Sequence, residues 1–282
     1  MITLPELAAQ ALGSYLAEQL DRRFGSTDPP LTKFIPHISK LALDCIGNSD
    51  ALYHDVEHTM LVTQVGYEIM AGRARLMPTS ANDCAHVIAA CLFHDIGYVR
   101  GILKGDGPNG YVIDSKGRRT ALARGSSDAA LMPYHVDRSK LFVMERIAES
   151  KLLDADRISS AIECTRFPPV HGPNDENGEG FLVRAADLIG QLGDPHYLRK
   201  ANALYHEFEE VGMNRQLGYA SPADLTDQYP QFYWSSVSAH IQPAIQYLNV
   251  TSSGRRWIAN LYSNVFRAEL AAMRLRRSSR SA

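Results

Sequence analysis

His94 and Asp95 stand side by side in Cys91-Leu-Phe-His94-Asp95-Ile-Gly97-Tyr98, behind an apolar run of Val87, Ile88, Cys91 and Leu92. The run predicts a buried helix that Gly97 stops. Two adjacent polar side chains at a buried helix end need partners, and a divalent metal ion would satisfy both. Upstream, Tyr53-His54-Asp55-Val56-Glu57-His58 separates two histidines by four residues. That spacing predicts one face of a helix starting near Ser49 or Asp50, with His58 turned toward Leu61, Val62 and Val65. Downstream, Asp187 lies in the apolar segment Phe181-Leu-Val-Arg184-Ala-Ala-Asp187-Leu-Ile189. A carboxylate there needs compensation, and Arg184, one turn earlier, offers a structural partner. His58, His94, Asp95 and Asp187 together make a candidate ligand set of two imidazoles and two carboxylates. Mixed nitrogen and oxygen donors suit one or two divalent ions: Mn, Fe, Zn, Ni or Co, with Mg at an oxygen-rich position.

The elements that must position these residues read as helices. Leu4 to Phe24 has helical spacing, Pro36 to Cys45 forms a second helix, and Gly47-Asn-Ser-Asp50 breaks it. Pro78 to Asn82 makes a turn before the His-Asp helix. From about 100 to 128 the character changes, because Gly101, Gly105, Gly107, Gly110, Gly117 and Gly125 exclude a continuous helix. A short hairpin turning at Lys116-Gly117 fits this insertion. An excursion directly after a candidate site reads as a lid or substrate loop. Its Lys104 and Arg124 would suit an anionic substrate. Helical periodicity resumes near Asp137 and at Ile158, and again over Tyr197–Glu210, Phe232–Leu248 and Trp257–Leu275. The polar loop Pro168 to Gly180 and a basic, frayed tail over 276–282 are expected to be irregular. The pattern predicts one all-α domain over 1–282, its motif-bearing core at about 36–212.

Composition narrows the class. The 282 residues carry a formal net charge of −2 and 45% hydrophobic residues, so a general nucleic-acid or membrane-surface binder is disfavoured. No stretch reads as a bilayer span or signal peptide, and the four scattered cysteines contain no CxxC pair. Reduced thiols in a cytoplasmic protein are the expectation.

The order His58 … His94-Asp95 … Asp187 resembles the HD-domain superfamily of metal-dependent phosphohydrolases. The resemblance implies a helical bundle with these four residues as metal ligands and Asp95 bridging two ions where two are present. His135, in Pro133-Tyr-His-Val, and His171, in Pro-Pro-Val-His-Gly, fall in the order of histidines that hold a second ion in such proteins. As plain residues they read as a helix-capping and an exposed loop histidine. A finer resemblance is to class I cyclic-nucleotide phosphodiesterases. Tyr53-His54-Asp55-x-x-His58 is similar to their Tyr-His-Asn-x-x-His motif, which would make His54 the general acid. Ala186-Asp187-Leu188 and Glu207-Phe208-x-x-x-Gly212 are similar to two later segments. Asp55 replaces the motif's Asn, and Tyr98 stands where that family has a second His. Gln228 and Gln231 are candidates for its purine-clamping Gln.

These features predict a phosphodiesterase or phosphomonoesterase acting on a nucleotide or another small phosphate ester. Arg184, Lys104 or Arg124 would hold phosphate oxygens, with no nucleic-acid or membrane partner. Two rival readings share the motifs. A di-iron oxygenase of the same fold would use His58, His94, Asp95, His135, His171 and Asp187; the other is a non-catalytic sensor or partner-binding module of that fold, against which the intact ligand set argues.

Overall fold

A computed structural model describes residues 2–25, 29–167 and 178–278. The protein is all-α apart from one two-stranded hairpin. Helix α1 (Leu4–Phe24) opens with Thr3 and Glu6 in a reciprocal capping box. It packs along α2 (Pro29–Ile46). Helix α2 starts seven residues before the expected Pro36, which sits inside it. A proline interior to a helix costs one backbone hydrogen bond. Here Pro36 lies directly against Gly13 of α1, where an added Cβ would meet the proline Cα at 2.9 Å.

Helix α3 (Val56–Leu76) is the central post. It buries residues on every side, including His58, Val62, Val65, Ile69 and Met70, and packs on α4 (Ala81–Phe93), α7 (Glu179–Leu192) and α11 (Ser238–Asn249). A helix apolar all round belongs in the middle of a bundle. It begins later than the expected Ser49 or Asp50. The Asp55 side chain accepts from the His58 backbone N–H at 2.9 Å and caps the helix, leaving His54 in the preceding bend. His54 and His58 therefore do not share a helix face. Helix α7 crosses α3 at close range, because Gly190 leaves room for Val62, whose Cα would lie 2.8 Å from an added Cβ.

Helix α4 ends at Phe93, before His94, and the chain turns through a short 3-10 segment, Ile96–Tyr98. The insertion follows, with strands β1 (Tyr111–Val112) and β2 (Arg119–Thr120) paired antiparallel around Gly117 at φ 72°. A second 3-10 segment, Asp128–Tyr134, leads into α5 (His135–Ile147), two residues earlier than the spacing suggests. Helix α6 (Ala155–Glu163) packs on α4, α5 and α7.

The insertion is tied down. Arg138 of α5 is fully buried, and its guanidinium donates to the carbonyls of Gly97 (2.7 Å), Val99 (2.8 Å) and Val112 (2.5 Å). The same group pairs with both oxygens of Asp106 at 3.1 and 2.9 Å. Arg100 binds Asp128 and reaches Asp50 at 2.6 Å, fastening the far end to the segment before α3.

The C-terminal region adds α8 (Tyr197–Glu210), α9 (Met213–Leu217), α10 (Pro222–Phe232), a π turn at Tyr233–Val237, α11, and α12 (Ser252–Ser278). The α9–α10 pair was not expected from periodicity. Residues 276–278, expected to fray, continue α12, while 279–282 lie outside the described residues. A single large apolar core runs through α1 to α7 and α11–α12, and a small second cluster joins Tyr53 to Ala201, Leu204 and Leu225. No helix of the described chain is long and apolar enough to cross a membrane.

Candidate metal centre

His58, His94, Asp95 and Asp187 converge from α3, the end of α4, and α7. His58 Nε2 lies 3.2 Å from Asp95 Oδ2 and 3.5 Å from Asp187 Oδ1. His94 Nε2 lies 3.0 Å from Asp95 Oδ2 and 3.6 Å from Asp187 Oδ1. The His94 ring is fixed by Nδ1, which bonds the Cys91 carbonyl at 2.8 Å and leaves Nε2 facing the carboxylates. His94 Nε2 and Asp95 Oδ2 are buried and make no hydrogen bond. Each such atom costs about 1–3 kcal/mol when left without a partner, so their convergence calls for a cation. His58, His94 and Asp187 form one group able to hold a metal ion, and His54, His58 and Asp95 form another.

The other oxygen of Asp95 faces a different histidine. His135 Nε2 is 3.7 Å from Asp95 Oδ1, and its Nδ1 bonds the Met132 carbonyl at 2.6 Å. Burial pushes the His135 pKa down despite the nearby Asp95 carboxylate, so the ring is neutral at neutral pH and its Nε2 lone pair is available. Burial works against the charged forms of His58 and His94, yet the surrounding carboxylates raise both, His94 strongly. Burial equally disfavours the Asp95 and Asp187 carboxylates, but the adjacent imidazoles hold both well below the usual range. The centre favours carboxylates that stay ionised as ligands.

His54 arrives from the bend before α3. Burial opposes its charge, but Glu207 of α8, with Asp95 behind, raises its pKa to about 9. Glu207 Oε2 pairs with His54 Nδ1 at 2.5 Å, while Oε1 accepts the backbone N–H groups of Tyr53 (2.6 Å) and His54 (3.2 Å). One buried carboxylate thus fixes both the bend and the ring. The Tyr53 ring in the second apolar cluster anchors the bend on α8. Tyr98 is stacked between two imidazoles, 4.5 Å from the His54 ring at 13° and 4.6 Å from the His135 ring at 25°. The Tyr98 phenol therefore serves as a spacer between them. The centre is sealed below and open at one edge: the His94 side chain is 1% exposed, whereas Asp187 and His135 are 21% and 20% exposed.

The remaining candidates lie as follows. His171 lies outside the described residues. Arg184 donates through Nε to the Cys164 carbonyl at 2.5 Å, at the contact of α6 with α7. Lys104 and Arg124 are exposed on the insertion, and no described hydrogen bond or ion pair ties either to the histidine cluster. His86, without a motif, bridges the Asn82 carbonyl (2.8 Å) and the Asp154 N–H (2.9 Å), a structural pin. All four cysteines are free thiols.

Residues 3–271 match the family described as Npun_R2479-like. The chain belongs to that family. No curated protein and no solved structure matches it. The match spans the insertion, α8 with Glu207 and most of α12, so the described site and its supports lie within the matched residues.

Proposed function

We propose that the protein is a metal-dependent phosphohydrolase of the HD-domain type, cleaving a small phosphate ester at the edge of this centre. The observation that carries the reading is the division of Asp95: Oδ2 faces His58 and His94, and Oδ1 faces His135. A carboxylate with imidazoles at both oxygens suits two adjacent divalent ions. His58, His94, Asp95 and Asp187 would hold the first, and His135 with Asp95 would contribute to the second. Such ions supply Lewis acidity and a water molecule acidified toward neutral pH.

The chain's own residues do the rest. His54 is kept protonated by Glu207 at Nδ1, so Nε2 is the atom that hands a proton to the departing oxygen. Tyr98 and Glu207 hold that ring in one orientation, which removes reorganisation from the transfer step. The sealed floor around His94 excludes bulk water from the ligands, and the open edge at Asp187 and His135 admits substrate.

The test is elemental analysis of the purified protein, coupled to a screen of cyclic nucleotides, nucleoside mono- and triphosphates and nitrophenyl phosphodiesters with Mn, Mg, Zn, Ni, Co and Fe. One or two ions per chain and phosphate-ester cleavage are expected. Two bound irons with oxygen consumption and no ester cleavage would make the centre a di-iron oxygenase. Metal-free, inert protein under every condition would leave only a sensor or binding role.

A further inference from the structure

The near-neutral total charge conceals a segregation. Ser252–Ala282 holds seven arginines and one glutamate, so this segment is +6 and the rest of the chain, from a total of −2, is −8. Its residues Ser252–Ser278 form α12, whose inner face is buried through Leu261, Val265 and Ala268. Its outer face is apolar as well. Tyr262, Phe266, Leu270 and Met273 follow each other at three- and four-residue spacing, and Phe266 and Met273 are 59% and 57% exposed. Trp234, 55% exposed, joins this stripe from the π turn by donating Nε1–H to Glu269 at 3.2 Å. Arg267 is exposed beside the stripe, and the sequence adds Arg274, Arg276 and Arg277 beyond Met273. A run of exposed aromatic and aliphatic side chains on one face marks an interaction surface.

We propose that this outer face of α12, with Trp234, docks the protein peripherally on an anionic lipid surface. Aromatic and aliphatic side chains between arginines fit the interface of a bilayer, where the rings enter the headgroup layer and the arginines reach phosphates. A second copy fits less well. Parallel pairing of α12 helices would bring the arginine-rich ends together, and antiparallel pairing would set Arg255 and Arg256 against Arg274, Arg276 and Arg277. Nucleic acid would engage the arginines but leave the apolar stripe in water.

The test is co-sedimentation of the full-length protein with phosphatidylcholine vesicles and with vesicles that also contain phosphatidylserine, at rising NaCl. Pelleting only with phosphatidylserine, weakened by salt, is expected. Each arginine near a charged leaflet contributes about fivefold in affinity, so Arg274→Gln, Arg276→Gln and Arg277→Gln together should weaken binding about a hundredfold. Phe266→Ser with Met273→Ser should abolish it while leaving the melting temperature unchanged, since both side chains are exposed. A blue shift of tryptophan emission on the vesicles that Trp234→Phe removes, leaving Trp257, reads the same event. No pelleting and no blue shift with phosphatidylserine would overturn the proposal. So would equal binding to both vesicles, or a dimer that Phe266→Ser converts to monomer.

Discussion

At the scale of single residues, the two oxygens of Asp95 make separable predictions. Asp95→Ala should remove bound metal and activity together, because His58, His94 and His135 all face this carboxylate. His135→Ala should release one ion and retain the other, as counted by elemental analysis; full occupancy in that variant would make His135 a structural residue. His54 is tested by turnover. His54→Ala should lower it by roughly a hundred- to ten-thousand-fold with metal content unchanged, and by less on nitrophenyl esters, whose leaving group departs without a proton. In the proposed mechanism the acidic form of His54 does the work, and with its pKa raised against burial to about 9 by Glu207, activity should fall as pH rises through that value. Glu207→Gln removes the carboxylate that raises it and should move this alkaline limb to lower pH. An unmoved limb would take His54 out of the proton transfer.

At the scale of elements, the turn after α4 is the most tightly specified piece of the molecule. Ser139 Oγ donates to the His94 carbonyl at 2.7 Å and accepts from the Gly97 N–H at 2.9 Å, so α5 grips both ends of the turn that carries Asp95. Gly97 is required there for a different reason than a helix stop: an added Cβ would fall 2.0 Å from the His135 carbonyl oxygen and 2.7 Å from the Ser139 nitrogen. Gly97→Ala should therefore separate α5 from the turn, lower the melting temperature by several degrees, and weaken the second ion more than the first. A variant with wild-type melting and metal content would show that the turn tolerates the displacement. The sequence makes His58, His94, Asp95 and Asp187 legible because each interrupts an apolar helical pattern and must be compensated. It does not make the start of α3 legible. A continuous polar and apolar mixture hides the Asp55 cap, so His54 reads as one turn of helix before His58 rather than as a bend on α8. Glu207 appears in the sequence only as part of a Glu-Phe segment. Its role depends on a partner 153 residues away, a separation that no local pattern encodes.

At the scale of the whole molecule, stability at low pH is carried partly by ion pairs that bind the outer helices. Burial would raise the Asp83 pKa, but Ser80 and Arg157 lower it from 3.8 to about 2. The Arg166 side chain, with Lys140, lowers Glu163 from 4.5 to about 2. Both carboxylates are depressed in the folded state, so their contribution is complete above about pH 5 and is lost as pH falls toward 2. Acid unfolding followed by circular dichroism should show a transition in that window, moved to higher pH when Arg157→Ala leaves the junction of α4, α6 and α7 unpaired. An unmoved midpoint would assign acid stability elsewhere. The all-α plan and the hairpin at Gly117 are visible in periodicity and glycine placement. The α9–α10 pair is not, because α9 has only five residues between Gly212 and Gly218, both at positive φ, and α10 carries Pro230 inside a largely polar segment.

The buried guanidinium of Arg138 has a consequence for how the chain could have been assembled over time. It satisfies three carbonyls, two from the turn beside Asp95 and one from the hairpin, and takes its counter-charge from Asp106 inside the insertion. Asp106→Ala would leave this cation buried beside the turn that carries Asp95 with nothing to neutralise it, a defect of about 3–5 kcal/mol. The insertion is therefore bonded into α5 and the turn beside Asp95 rather than hung from them as a separate module. Arg138 and Asp106 form one unit, and a relative lacking the loop is expected to lack the arginine too.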